Sequence, residues 1–321
     1  MSKIVLGIDV SKLKFDVALL LANDKFKHKK FDNKPTGFSQ LIEWLEKYVS
    51  STQELHICME ATGHYNEALA TFLFDAGFKV SVVNPAQIKG FAYSKLARTK
   101  TDQADAKLIA GFCLAMNPKA WQPYPPHIRE LQALIRRLEA LQNMDAQEHN
   151  RMESASEAVL PSIMAIRDKL AEEIVSIKKR IRDHIDRNPD MRDKKMLLET
   201  IPGIGESTIA QILAFMNVEA FENARQLAAF VGLNPKQRQS GSSVLGRSRL
   251  SKIGNANLRK AFYFPAIVAT RFNPIIKSFS EKLRSNGKSK MVIIGAAMRK
   301  LVHIIYGVLK SHKPFNPALA A

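Results

Sequence analysis

A chain of 321 residues that is 46% hydrophobic, with 48 Lys and Arg against 30 Asp and Glu and a formal net charge of +18, is long enough for two or three domains and too apolar for a disordered polycation. The positive excess favours a polyanionic partner, nucleic acid first, and is concentrated at one end: from Asn223 to the C-terminus there are 18 Lys and Arg and the single acid Glu281. Cys58 and Cys113 are isolated, which excludes a disulfide scaffold and a cysteine zinc site, and with no signal-peptide succession and no apolar run of bilayer length the expectation is a soluble cytoplasmic protein with no membrane partner.

Strands are predicted over 3–9, 14–21 and 26–32, a helix over 36–49, a strand over 55–60, a helix over 65–77 and a strand over 79–83, followed by helices. That succession is an α/β domain with a mixed sheet over residues 1–124. Asp9 closes the apolar run Ile4-Val5-Leu6-Gly7-Ile8, and Glu60 closes a second, Leu55-His56-Ile57-Cys58-Met59. Asp102 and Asp105 stand three apart at the start of a helical stretch, so both carboxylates share one face and one turn. An acid after a strand also serves as a turn residue or cap, and Thr101-Asp102 also reads as a plain helix start. As an ordered set, however, strand ends and a helix start can converge, and two hard cations about 4 Å apart need several converging oxygen ligands. The set therefore points to a metal site for phosphodiester chemistry, in an arrangement that a ribonuclease-H-like fold would produce.

Trp121-Gln122-Pro123-Tyr124-Pro125-Pro126 cannot continue a helix and reads as a linker. A central region, 125–193, carries one apolar stripe of Leu131, Leu134, Leu138 and Leu141 and another of Ile163, Ile166, Leu170, Ile174, Ile177 and Ile181, with Pro161 separating two helices. The stripes predict a helical hairpin or coiled coil, within or between chains, and so an oligomerisation region. In the third region, 194–321, Ile201-Pro202-Gly203-Ile204-Gly205 resembles a helix-hairpin-helix element, whose Gly203 and Gly205 would let backbone N–H groups approach a phosphate. The same residues also make an ordinary helix turn. Phe230 to Val244 reads as a polar, Gly- and Ser-rich basic loop. No His or Asp partner marks a serine there as a triad nucleophile, but a bound metal can activate a hydroxyl without one.

The motifs Gly7-Ile8-Asp9-Val10-Ser11-Lys12, Met59-Glu60-Ala61-Thr62-Gly63, Val83-Asn84-Pro85, Lys100-Thr101-Asp102-Gln103-Ala104-Asp105-Ala106, Ile201-Pro202-Gly203-Ile204-Gly205, Gly232-Leu233-Asn234-Pro235, Gln239-Ser240-Gly241 and Leu250-Ser251-Lys252-Ile253-Gly254-Asn255 run nearly end to end. In them the chain resembles the transposases of insertion-sequence family 110, which are related to the Piv-type DNA invertases. The resemblance implies an N-terminal RuvC-like domain whose metal-binding acids fall on Asp9, Glu60, Asp102 and Asp105, a central coiled coil, and a mainly helical C-terminal domain whose nucleophilic serine falls on Ser240, with Ser242 and Ser243 as competitors. It further implies Mg²⁺, with Mn²⁺ as a substitute, and strand exchange through a 5′-phosphoserine. The implied partners are target and donor DNA, a noncoding bridge RNA, and further copies of the chain in a dimer or tetramer, where the acids of one subunit are completed by the serine of another.

Arg238, Arg247, Arg249, Lys252, Arg259 and Lys260 surround Ser240 in the sequence and are expected to meet backbone phosphates. Two other classes of function fit parts of the pattern. A RuvC-like domain without a working serine would be a structure-selective endonuclease using metal-activated water, and a DNA-binding protein with a degenerate site would use the basic surface alone. The complete acid set weighs against the last.

Overall fold

The computed structural model describes residues 4–21, 23–61, 63, 65–96, 101–240 and 244–320, with the backbone alone at 237–240, 244–248, 319 and 320. The chain forms two compact units, Met1–Tyr124 and Pro125–Ala321.

In the first unit the elements are β1 (Ile4–Val10), β2 (Lys14–Leu20), β3 (Phe26–Asp32), α1 (Pro35–Leu45), β4 (Leu55–Glu60), α2 (Glu67–Asp75), β5 (Lys79–Val83), α3 (Pro85–Ser94) and α4 (Asp102–Met116). The sheet runs β3-β2-β1-β4-β5. Its first three strands are antiparallel neighbours, and β1, β4 and β5 are parallel. This mixed sheet with covering helices is the α/β domain that was expected, with an RNase H-like strand order. β1 and β4 lie inside the sheet and are covered on both faces, which is why both read as nearly unbroken apolar runs. One face, with Leu6, Ile8, Phe15 and Ile57, packs against Leu41 and Trp44 of α1 and Leu69 and Leu73 of α2. The other face, with Val5, Leu20 and Cys58, packs against Ile88 of α3 and Ile109, Ala110 and Cys113 of α4.

The second unit is α5 (Pro126–Met152), α6 (Leu160–Arg187), α7 (Pro189–Glu199), α8 (Glu206–Phe215), α9 (Ala224–Val231), a hairpin of β6 (Pro235–Ser240) and β7 (Val244–Leu250), then α10 (Ala256–Ala261), α11 (Tyr263–Phe272), α12 (Pro274–Ser285) and α13 (Lys290–Ser311). Leu131, Ile135 and Leu141 of α5 and Ile177, Ile181 and Ile185 of α6 join one core with α8, α9 and α13. Ile166, placed on the same stripe by sequence, is 47% exposed. Pro161 does not separate the two long helices; it lies in the first turn of α6, where its missing N–H has no helical partner to lose.

Two further expectations are corrected. The segment read as a loop from Phe230 to Val244 begins with the end of α9 and then forms a β-hairpin, antiparallel from Pro235 opposite Leu250 to Ser240 opposite Val244, with an irregularity between Lys236 and Arg238. Lys-Gln-Arg-Gln-Ser has no apolar alternation, so backbone pairing left no mark in the hydrophobic pattern. The second correction concerns apolar length: α13, of 22 residues, is long and apolar enough to cross a membrane by length and composition. Arg299-Lys300 breaks the run and hid this. Ala297, Leu301, Val302 and Ile305 of that helix are wholly buried in the core of the unit.

Candidate functional site

Asp9 is the penultimate residue of β1 and Glu60 the last of β4, and these strands pair in parallel with Ile8 beside Met59. Both carboxylates therefore stand at the carboxyl ends of adjacent parallel strands, where open α/β sheets place their sites. Thr101 caps α4, its hydroxyl accepting from the Ala104 N–H at 3.2 Å, which puts Asp102 and Asp105 in the first turn. Gly7 lets that helix lie against β1. A Cβ there would stand 2.1 Å from the Ala106 carbonyl oxygen and 2.3 Å from the Ala110 nitrogen, both helix backbone.

The four sequence-predicted acids come together electrostatically on Asp9. Burial, followed by the charges of Asp105, Asp102, Glu60 and Asp16, pushes its carboxyl up to about 6. Asp102 is drawn the other way: the Lys14 ammonium donates to its Oδ2 at 3.0 Å and holds it below the usual carboxylate range. Among the described residues no group of three or more His, Cys, Asp and Glu side chains is arranged to hold a metal ion. In donor chemistry the set does fit a hard divalent cation, being all carboxylate oxygen, with a crowded acid whose repulsion such a charge would relieve. Two residues before Glu60, Cys58 is buried, as is Cys113 of α4, whose thiol donates to the His56 carbonyl at 3.7 Å.

Sequence reasoning missed Lys14, Asp16, His28 and Lys30. Asp16 lies opposite both Asp9 and Lys30 in the sheet, and it is buried at 3% exposure. His28 Nε2 lies 2.9 Å from its Oδ1, and Lys30 Nζ lies 3.6 Å from its Oδ2. The period-two spacing of Lys14 and Asp16, and of His28 and Lys30, was visible in the sequence. The cross-strand register that gathers them was not.

In the second unit, Ser240 ends β6, with its backbone opposite Val244; Ser242 and Ser243 lie outside the described residues. Two motifs interlock at the base of this hairpin. Gly232 ends α9 in the left-handed region at φ 80°, Ser251 N donates to Asn234 O at 2.8 Å, and Asn255 N donates to Phe230 O at 2.7 Å. Gly254 fits where a Cβ would stand 2.3 Å from the Phe230 carbonyl oxygen. Arg299 of α13, also missed, donates to Asn234 Oδ1 at 2.6 Å and fixes the strand's start.

The basic candidates separate. Arg249 at the end of β7, Lys252 and Lys260 are exposed, whereas the Arg259 guanidinium donates to the carbonyls of Val231 at 3.3 Å and Lys252 at 3.1 Å. Arg238 and Arg247 lie on β6 and β7, with backbone alone described. Gly203, at φ 102°, is accounted for by packing, since a Cβ there would meet Ala269 of α11 at 2.9 Å. Gly205 caps α8 and faces open space.

A family model described as "Transposase" matches residues 6–161, and one described as "Transposase IS116/IS110/IS902 family" matches residues 195–281. The chain is 35% identical over 319 residues to the pilin gene-inverting protein of Moraxella bovis, covering 98% of each chain, and 34% identical to that of Moraxella lacunata over the same span. It is 25% identical over 248 residues to the transposase for insertion sequence element IS1111A of Coxiella burnetii, covering 66% of each. Among solved structures, the chain of T. thermophilus RuvC in complex with Holliday junction substrate matches at 17% identity and a TM-score of 0.26, covering 36% of this chain and 96% of that one, and adds nothing to the sheet topology already described.

Proposed function

The chain belongs to the IS116/IS110/IS902 family of transposases, which includes DNA-inverting relatives and whose members act on DNA as recombination enzymes; from that premise we propose that it cuts and rejoins DNA by metal-assisted transfer of a phosphodiester to Ser240. The observation that supports the proposal is the placement of Asp9 and Glu60 at the carboxyl ends of adjacent parallel strands, with Asp102 and Asp105 in the first turn of the helix packed against Gly7. These residues would hold Mg²⁺ or Mn²⁺, which when bound supplies positive charge to the phosphate oxygens of the scissile group. Ser240 Oγ attacks the phosphorus as the bond to the 3′-oxygen breaks. The serine loses its proton, the departing oxygen gains one, and a 5′-phosphoserine and a free 3′-hydroxyl result. A 3′-hydroxyl from another strand reverses the step and releases the serine, so joining needs no external energy source.

The hairpin suits Ser240 to this role, because its base is fixed by Arg299 and by the interlocked Gly232 and Gly254 turns. Arg249, Lys252 and Lys260 supply phosphate contacts, with Arg238 and Arg247 on the same hairpin and Gly205 opening the N-terminus of α8. A homo-oligomer is supported by the outer part of the α5–α6 hairpin: between Leu141 and Ile177 no described side chain is fully buried, while Met144, Met164, Ile166 and Val175 are exposed. Site choice by a noncoding bridge RNA pairing with target and donor DNA rests on the family resemblance, and the +18 charge is compatible with carrying both nucleic acids.

The test is a trapped adduct. On a nicked suicide substrate the unaltered protein forms a covalent DNA complex that peptide mass spectrometry maps to Ser240; Ser240→Ala forms none and recombines nothing, while Ser242→Ala and Ser243→Ala retain product. Attachment at another residue refutes the nucleophile. Cleavage by Ser240→Ala without an adduct favours instead a hydrolytic, structure-selective endonuclease.

A further inference from the structure

The α4 side of the sheet carries a second set of charges beside the four acids. Strand periodicity and register place Asp9 of β1, Lys14 and Asp16 of β2, and Phe26, His28 and Lys30 of β3 on this one face. β3 is an edge strand, so the row borders solvent. At its inner end Asp16 is buried, accepts from His28 and forms an ion pair with Lys30 at 3.6 Å, and Lys14 is bound to Asp102. Lys30 also lies within electrostatic reach of Asp102. At the other end, Lys107 of α4 stands 5.7 Å from the centre of the Phe26 ring.

Ion pairs on an edge strand have an ordinary explanation, since charged edges keep sheets from pairing with one another. That accounts for exposed lysines and not for Asp16. A carboxylate removed from water beside Asp9 adds to the repulsion there, and a buried pair of this kind contributes little net stability. What Asp16 does achieve is to fix a lysine and a histidine side chain at the rim of the acid site, with their outer surfaces open: the Lys30 side chain is 48% exposed and that of His28 27%.

From this arrangement we infer that Lys14, His28, Lys30 and Lys107 form a seat for the sugar-phosphate backbone of the DNA strand that reaches the acid site, with Asp16 as its positioning residue. The inference rests on the proposed use of the acids for DNA cleavage. A cation bound to Asp102 leaves Lys14 free to face a phosphate. From Phe26 to Lys30 the row extends four residues, about 13 Å at roughly 3.3 Å per residue, which suits a run of phosphates better than a single one. The seat reads no sequence, because phosphate contacts set position and register only.

Lysine acylation of the full-length protein, read residue by residue by mass spectrometry with and without a DNA duplex, tests the seat separately from the chemistry. Lys14, Lys30 and Lys107 should be protected severalfold by DNA, in the unaltered protein and equally in Glu60→Gln, while Lys47 beyond α1 keeps its reactivity. Lys30→Gln and Lys107→Gln should each lower the slope of log affinity against log salt by about 0.9. Protection confined to C-terminal lysines such as Lys252 and Lys260 overturns the inference and leaves a solvated edge. So does protection by an RNA hairpin but not by DNA. Persistence of cleavage in Glu60→Gln, with Lys30 protected, would refute the role of the acids and leave the seat standing.

Discussion

Gly7→Ala is the sharpest test of how the fold assembles the site. The added methyl would lie 2.1 Å from the Ala106 carbonyl oxygen, 2.3 Å from the Ala110 nitrogen and 2.9 Å from the Ala110 Cα, whereas ordinary contact begins near 3.4 Å. All three atoms are backbone of α4, so no rotamer change relieves the overlap and the helix must retreat by on the order of 1 Å, because interiors packed at crystal density leave no slack. Overpacking of this kind costs about 1–3 kcal/mol. The retreating helix carries Asp102 and Asp105 while Asp9 and Glu60 stay on their strands, and a shift of about 1 Å in a reacting group costs about 100-fold in rate. The expected variant is folded at low temperature, unfolds at lower urea, keeps its affinity for DNA and cleaves about 100-fold more slowly. Urea denaturation and single-turnover cleavage, both below the unfolding transition, measure the two effects independently. Unchanged stability together with an unchanged rate would refute the close helix–strand contact. A rate that falls only in proportion to the unfolded fraction would refute its role in setting the acids.

Two other outcomes follow from the charges. Asp9 is pushed up to about 6 from 3.8, first by burial and then by its acidic neighbours, so the folded state holds this proton more tightly than the unfolded chain. The resulting stabilisation is complete below about 3.8 and is lost as pH rises to about 6; in chelator, Asp9→Asn should therefore melt higher than the unaltered protein above that window, with a difference that disappears toward its lower end. A pH-independent difference in melting temperature would contradict the crowding of Asp9. Arg259→Ala should destabilise the second unit by about 1–3 kcal/mol through the abandoned carbonyls of Val231 and Lys252 while leaving the salt dependence of DNA binding unaltered, whereas Arg249→Ala should lower that dependence by about one ion at little cost in stability. Salt titrations and urea melts on the two variants would reveal the reverse assignment.

The strands of the first unit were legible because each is a short apolar or alternating run bounded by turn residues, and β1 and β4 carry their candidate acids at the point where the apolar run stops. The start of α4 was legible because Thr101 and two acids in the first turn satisfy helix N-terminal chemistry. Pairing between distant segments was not legible. The β6–β7 hairpin has backbone partners but no apolar alternation along β6, and Asp16 gains its meaning from standing opposite Asp9 and Lys30, which no local window contains. Arg259 reads as one more basic residue in a basic segment, and only the folded loop shows its guanidinium turned to two carbonyls.

Lys14 connects the two charged sets. Its ammonium donates to Asp102 Oδ2 at 3.0 Å, while the charge of Asp102 still bears on Asp9. A dication has the greater claim on a carboxylate that lies among other carboxylates, because it neutralises several at once, whereas the ammonium neutralises one at the surface, where solvent screens the gain. Exchange of one for the other would then release a cation at the rim just as positive charge accumulates among the acids. On the proposed seat a phosphodiester would bring negative charge to the released Lys14 ammonium, so that cation binding and strand binding would favour each other.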